Sequence, residues 1–336
     1  MVTIDVAIPA YAGGHLLKPL LTSLSIQGEE LDARIRVIVS DDGSPIALEQ
    51  LYPSTLYPGL ALTFVRGVNA GPGAARNRAI EAATSDWIVF LDADTVPSDD
   101  WYGHLLSIIE ATTSRAIEGV TRFAGGRPTP FAHATEIRDG IAHGGANIAY
   151  ELDTIRALGG FDEAFYDGRR RMHFREDLEL YFRATGSGVE VEAHPELQIA
   201  HPPLRASYWT PVRLARRYYF DPLLGRKHPV QFRALNKKRK IGPISLRSAR
   251  HWAAVAHVVT TSAFVGIGML SRAHNRRLLA IPALVAWGSN VAALAWGRRL
   301  RMRDLGPLIG VSFIVPWVYV WHYGRGVLKF KYIPRL

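Results

Sequence analysis

The 336-residue sequence predicts an α/β protein, a mostly parallel sheet between helices, followed by an α-helical, membrane-associated C-terminal region. Three observations lead there. Short apolar runs rich in Val and Ile alternate with amphipathic stretches through the first hundred residues, the pattern of parallel strands joined by helices. Charge divides sharply: residues 1–204 hold 16 Lys+Arg against 28 Asp+Glu, and residues 205–336 hold 24 against 2. Three long uncharged runs lie inside the basic part.

The elements follow in order. Met1 leads directly into an apolar strand, Ile4–Pro9, without the basic leader and long apolar core of a signal peptide. Leu16–Leu24 is amphipathic and helical. Ile35–Val39 is a strand that stops at Ser40-Asp41-Asp42-Gly43-Ser44. Leu62–Val65 is a third strand and Gly73–Ala83 a helix. Trp87–Leu91 is a fourth strand, ending at Asp92-Ala93-Asp94. Parallel sheets bind ligands beyond the carboxyl ends of their strands, where Pro9-Ala10-Tyr11, Asp41-Asp42 and Asp92/Asp94 all fall. Along a strand, i and i+2 face one side, so Asp92 and Asp94 can share a ligand. Such hard oxygen pairs suit Mg²⁺ or Mn²⁺, with a substrate diphosphate completing the shell.

The C-terminal runs are Trp252–Ser271, Leu278–Gly297 and Leu305–Tyr323, each of about 20 residues, enough to cross a bilayer core. Lys237-Lys238-Arg239-Lys240, Arg276-Arg277 and Arg298-Arg299 flank them, and Trp252, Trp296, Trp317, Tyr319 and Trp321 sit near their ends. This predicts a membrane partner and no nucleic acid. Positive charge at both ends leaves the topology open, and interfacial placement is the alternative for some runs. The expected division is a globular unit 1–204, a basic amphipathic juxtamembrane segment 205–250, and hydrophobic helices 251–336. The chain has no cysteine, which excludes disulfides and thiolate chemistry.

The ordered set Ile8-Pro9-Ala10-Tyr11, Ser40-Asp41-Asp42-Gly43-Ser44, Asn69-Ala70-Gly71-Pro72-Gly73-Ala74-Ala75-Arg76-Asn77 and Asp92-Ala93-Asp94 resembles family 2 of the nucleotide-sugar glycosyltransferases, which have the GT-A fold. Gly144-Gly145-Ala146-Asn147-Ile148-Ala149-Tyr150, Gly159-Gly160-Phe161-Asp162-Glu163 and Arg175-Glu176-Asp177-Leu178 continue it, over about residues 3–205. Ala12 departs from the family, which often has Asn there.

The resemblance implies a role for each motif. Pro9, Ala10, Tyr11, Asp41, Asp42, Gly71, Arg76, Asp92, Ala93 and Asp94 would bind the nucleotide sugar. Asp41 or Asp42 can accept from a ribose hydroxyl or a uracil N–H; an Asx turn or helix cap uses the same chemistry. Gly71 precedes a helix whose N-terminus favours anions, and Arg76 either touches the nucleotide or pairs with a nearby carboxylate. Asp94 would hold the metal, with Asp92 on ribose or metal-bound water. His201 is a further metal candidate, ahead of His194, His143 and His133. In the resembling family the Asp of the Glu-Asp pair is the general base, here Asp177 beside Glu176. Gly144–Tyr150, with Gly145, Ala146 and Asn147 as the named residues, would form the acceptor-side loop, and Asp162 would cap the following turn or line the site. Beyond the resemblance, Arg213, Arg216 and Arg217 are spaced to line one side of a helix leading to the membrane, where they would clamp the diphosphate or meet lipid phosphate, a solvated or headgroup-facing helix being the alternative.

These expectations converge on an inverting, metal-dependent transferase of the cell membrane, its catalytic domain cytoplasmic. It would move a sugar from a UDP- or GDP-linked donor to a hydroxyl of a lipid-linked or membrane-proximal glycan. The alternatives are a polyprenyl-phosphate glycosyltransferase and a non-enzymatic membrane scaffold. A processive synthase is disfavoured, because Gln-x-x-Arg-Trp does not occur after the Glu-Asp pair.

Overall fold

Strand β1, Ile4–Ala10, begins the architecture. Its alternating side chains serve two cores. Ile4, Val6 and Ile8 enter one apolar cluster, and Ala7 enters the other. A strand apolar on both faces must be covered on both faces, the condition of a central parallel sheet. A computed structural model describes the chain except residues 13, 29–34, 133–143, 204–205, 238–239, 242–243, 271–272 and 335–336.

Helix α1 (Gly14–Gly28) leads to β2 (Ile35–Asp41), and the short helix α2 (Leu48–Leu51) precedes β3 (Ala61–Arg66). Helix α3 (Pro72–Ala82) returns the chain to β4 (Trp87–Phe90), and β5 (Val96–Pro97) follows at once. Then come α4 (Trp101–Ala111), β6 (Ala116–Phe123), β7 (Ile148–Glu151), α5 (Leu152–Ala157), a hairpin of β8 (Tyr166–Asp167) and β9 (Met172–His173), α6 (Glu176–Gly186) and β10 (Val191–His201). The sheet order is β3-β2-β1-β4-β7-β6-β10-β5. Strands β3, β2, β1 and β4 are mutually parallel, whereas β7 runs antiparallel between β4 and β6. Leu17, Leu20, Leu21 and Leu24 of α1 pack with Trp101 and Leu105 of α4 on one face. Ala79 and Ile80 of α3 pack with Ile155 and Leu180 on the other.

The expected strands and helices of residues 1–91 all form, with ends shifted by a few residues. One expectation is corrected. Part of the acceptor-side stretch is strand: Ile148–Tyr150 belongs to β7 and pairs with Phe90, Val89 and Ile88.

The chain divides into two compact units, residues 1–125 with 134–203, and residues 126–133 with 204–336. The second unit is helical, with α7 (Thr210–Arg216), α8 (Asp221–Lys227), α9 (Pro229–Lys237), α10 (Leu246–Leu270), α11 (Ala273–Ala295) and α12 (Leu305–Phe330). Phe131, Leu308 and Val311 form its small core, backed by Val212, Val291 and Leu294. Helices form over all three apolar runs. Among the described residues, however, only Met302–Phe330 is long and apolar enough to cross a membrane, with a mean hydropathy of 1.4. The middle of α10 is diluted by His257, Thr260, Thr261 and Ser262.

Candidate active site

The carboxyl ends of β1, β2 and β4 carry three of the expected groups, and strand pairing sets their positions. Ala10 lies beside Asp41 in the β1–β2 register. Asp41 does not face outward. Its carboxylate accepts from the Ser44 and Leu48 amides at 2.8 and 3.2 Å, holding the turn into α2. Asp42 is likewise turned inward. It accepts from the amides of Ala70 and Gly71, at 3.0 and 2.8 Å, and from Arg78 at 2.6 Å. The local turn-holding use is thus the one observed for Asp41, whereas Asp42 bonds residues 28 to 36 positions ahead. Asp42 thereby ties the end of β2 to the loop before α3. Gly71 in that loop has φ +93° and the Tyr166 ring against its Cα, so no side chain fits there.

The metal candidates meet through the other edge of the sheet. Short β5 pairs antiparallel with β10, Val96 opposite Ala200. This sets Asp94, two residues before Val96, against His201, and Asp94 Oδ2 lies 3.2 Å from His201 Nε2. The Nδ1 of His201 donates to the Pro202 carbonyl oxygen at 3.0 Å and its Nε2 donates to Asp94. Burial opposes the charged imidazole, but the bond to Asp94 and its charge hold the pKa above its usual value; a metal ion between the two side chains would take the place of the Nε2 proton. That arrangement suits a metal-ligating histidine, whose second nitrogen is fixed by a carbonyl. Among the described residues no cluster of three His, Asp or Glu side chains could hold an ion by itself. An ion on Asp94 and His201 would take further oxygens from a diphosphate or water, as Mg²⁺ usually does. Asp92 is not part of that pair; Arg76 holds it at 2.7 Å.

Arg76 joins the two halves of the site. It lies on α3, is 5% exposed, and packs its guanidinium over Phe161. One terminal nitrogen meets Asp92 and the other is 3.8 Å from Glu176. Gly145 allows this: a Cβ there would sit 2.7 Å from the Arg76 guanidinium.

The Glu-Asp pair opens α6. Arg175 just before it is left-handed, φ +81°, and this sharp bend starts the helix. Acidic groups in a first turn are favoured by the helix dipole. Asp177 Oδ2 accepts from the Gly145 amide at 3.1 Å and Oδ1 from the Leu178 amide. Burial, reinforced by the Glu176 charge, pushes the Asp177 carboxyl up to about 6. Glu176 goes the other way. Burial opposes its ionisation, but His173, with Nδ1 at 3.0 Å, and Arg76 hold it below its usual value. Two adjacent carboxylates are thus driven apart, one firmly ionised and one poised near neutrality, the signature of an acid–base assignment.

A family model for glycosyl transferase family 2 matches residues 5–182. The chain belongs to that family. A pre-mycofactocin glycosyltransferase of Mycobacterium tuberculosis is 27% identical over 215 residues, covering 59% of this chain and 42% of the relative. An amylovoran biosynthesis glycosyltransferase of Erwinia amylovora is 36% identical over 112 residues, 32% of this chain and 36% of the relative. The chain therefore spans less than half the length of these relatives. A mannosyltransferase from Pyrobaculum calidifontis, solved with GDP-Man and Mn²⁺, superimposes with a TM-score of 0.56 at 19% identity, over 95% of this chain and 87% of that one. This likeness is one of fold, the GT-A arrangement of sheet and helices.

Within the first unit, Arg76 joins Asp92 to Glu176, next to Asp177, and Asp94 faces His201. Tyr11 is 39% exposed, while Pro9 and Ala10 are set in β1. Ala93 packs partly buried on the first core. One site expectation is corrected. Asn147 is fully buried at φ +59°, and its amide is spent on the carbonyls of Val120 and Leu197 and on the Trp101 indole. Its side chain ties β7 to β6, β10 and α4 and offers nothing to an acceptor. Gly145 and Ala146 are also buried, so Gly144 is the partly exposed residue of that stretch. Asp162 caps the turn at Glu163–Phe165 by accepting from the Ala164 amide. His194 pairs with Glu196, and His133 and His143 lie outside the described residues. Arg213, Arg216 and Arg217 belong to the helical unit, where Arg213 donates to Thr210. The sequence reading missed His173 and Glu118, whose carboxylate accepts from the Gly144 amide. Glu118 acts through a partner 26 residues away, and His173, although only three residues from Glu176, stands in the hairpin before α6, where no helical periodicity marks the contact.

Proposed function

We propose that the chain is an inverting glycosyltransferase that moves a sugar from a nucleoside-diphosphate donor to a hydroxyl of a glycan or lipid-linked acceptor. The observation that carries the reading is the Arg76 bridge between Asp92 and Glu176. It puts Asp92 of the Asp-x-Asp motif and Glu176 of the Glu-Asp pair on one charge network.

In this mechanism Asp177 is partly open to solvent, poised near neutrality, and oriented by the Gly145 amide. It accepts the proton of the acceptor hydroxyl as that oxygen attacks the anomeric carbon. The nucleoside diphosphate leaves from the opposite face, so configuration inverts. Asp94 and His201 would hold Mg²⁺ or Mn²⁺, which neutralises charge on a departing diphosphate. Glu176 stays ionised and, with Asp92, keeps Arg76 in place. Relatives named for amylovoran and succinoglycan biosynthesis support a glycan acceptor.

Membrane association belongs to the same reading. Trp252, Phe264, Ile281, Leu284, Phe313, Trp317 and Trp321 are all exposed on α10–α12, and large apolar side chains left open in such number favour a membrane partner. The basic charge of residues 205–336 favours an anionic, cytoplasmic leaflet.

Calorimetry of the full chain with UDP and GDP sugars, with and without Mn²⁺, tests the donor half; metal-dependent binding of one is expected. Proton NMR of the product anomer tests inversion. Donor hydrolysis without transfer to any hydroxyl would favour a phosphate acceptor, which needs no strong base.

A further inference from the structure

The hairpin between Phe165 and α6 has one role in the site so far: His173 on β9 braces Glu176. Its tip has none. β8 and β9 pair Tyr166 with His173 and Asp167 with Met172, and the turn between them reads Gly168-Arg169-Arg170-Arg171. These guanidiniums are not equivalent. Arg170 is spent on Asp167, with nitrogen and oxygen 2.6 Å apart. Arg171, left-handed at φ +47°, reaches instead to the end of β1. Its guanidinium carbon lies 4.9 Å from the Tyr11 ring centre, and it donates to the Tyr11 hydroxyl. It also hydrogen-bonds Tyr166, whose own hydroxyl donates to Asn69 at 2.8 Å. The cation thus sits on the exposed aromatic ring at the strand end, between that ring and the loop ahead of α3.

Two physical facts set what this contact can do. A guanidinium on an exposed ring is weakly held, because water competes for the charge. A diphosphate offers the same group two parallel charge-assisted hydrogen bonds, a far stronger partner. A nucleobase stacking on Tyr11 needs the ring face that Arg171 covers, and its diphosphate then lies within the reach of a side chain this long.

We propose that Arg171 is the displaceable clasp of the donor site: it yields the Tyr11 ring to the nucleobase and closes on the diphosphate of the same nucleotide. The inference rests on the nucleotide-sugar reading and adds a positioning residue to it. The clasp couples two recognitions that would otherwise be independent. A nucleoside alone must displace Arg171 and gains nothing for it; a nucleoside diphosphate displaces it and rewards it.

The test is titration calorimetry of the full chain in Mn²⁺ with UDP, uridine, GDP and guanosine, comparing wild type, Arg171→Ala and Arg171→Lys. For whichever base binds, Arg171→Ala should weaken the diphosphate by about tenfold or more, while the matching nucleoside binds equally well or tighter. Arg171→Lys, which keeps the charge and loses the fork, should recover part of the diphosphate affinity. Equal changes for diphosphate and nucleoside would overturn the clasp, leaving Arg171 as a ring or folding contact only. Unchanged affinity for both, with transfer slowed only to a phosphate-bearing acceptor, would also overturn it and move the guanidinium to the acceptor. Binding of none of the four by the wild type would overturn the nucleotide-sugar reading itself. Folding of each variant is controlled by its thermal melting curve, and Tyr11→Ala, which removes the stacking ring, should weaken nucleoside and diphosphate alike.

Discussion

Asp177 carries the strongest residue-level expectation. Asp177→Asn keeps the size and one of the two amide contacts but cannot take a proton. Turnover should fall by about 10²–10⁴-fold while donor affinity holds, read by single-turnover transfer beside donor titration. The pH profile follows from the same group. Its carboxyl is pushed up to about 6, and a base works only when deprotonated. Transfer should therefore rise with pH through that value, flatten above it, and fall about tenfold per unit below it; a flat profile from pH 5 to 8 would remove Asp177 from the step. Asn147 makes the opposite kind of claim. Asn147→Ala strands the Trp101 indole and two buried carbonyls, so it should cost about 2–4 kcal/mol by denaturant unfolding, with little change in KM for the folded fraction. The contrast shows where the sequence was readable. Asp94 and Asp177 stand at a strand end and a helix start, both of which local patterning marks. Asn147 sits in a similar-looking motif, but its partners come from residues 101, 120 and 197, which only the folded register brings together.

At the scale of elements, the loop ahead of α3 shows how a strand end and a helix start are made one object. Asp42 gathers the amides of Ala70 and Gly71, and Gly71 leaves room for Tyr166. Gly71→Ala places a Cβ 2.6 Å from that ring at a φ that L-residues avoid. It should cost about 1–3 kcal/mol and detach the hairpin, seen as a lower melting temperature and weaker donor binding together. The parallel half of the sheet was legible because β1 to β4 repeat strand, helix, strand with apolar runs facing two cores. The antiparallel insertion of β7 was not. It is four residues long and continues a glycine-rich stretch, so neither length nor alternation marks it. The β5–β10 pairing was equally hidden, since β5 has two residues, yet it alone sets Asp94 against His201.

For the molecule as a whole, the charge division was visible in composition, and the three long helices in hydropathy; how many of them cross a bilayer was not, because polar residues within α10 weaken its signal. The full chain should fractionate with membranes and resist carbonate extraction through Met302–Phe330. Release by carbonate, or by high salt alone, would mean that the helices lie on the surface and that the basic residues do the holding. A final consequence lies in the way the sequence is threaded. Residues 126–133 belong to the helical unit although the chain on both sides belongs to the first unit, and Phe131 is 2% exposed in a core with Leu308 and Val311. Neither unit is a continuous stretch of chain. A ribosome must deliver Leu308 and Val311 before Phe131 can be covered, so this bystander segment waits through about half the synthesis with its aromatic ring in water. Ending the chain at Pro203 leaves the ring permanently bare. Such a truncated protein should bind a dye such as ANS and aggregate on concentration, and Phe131→Ser should relieve both.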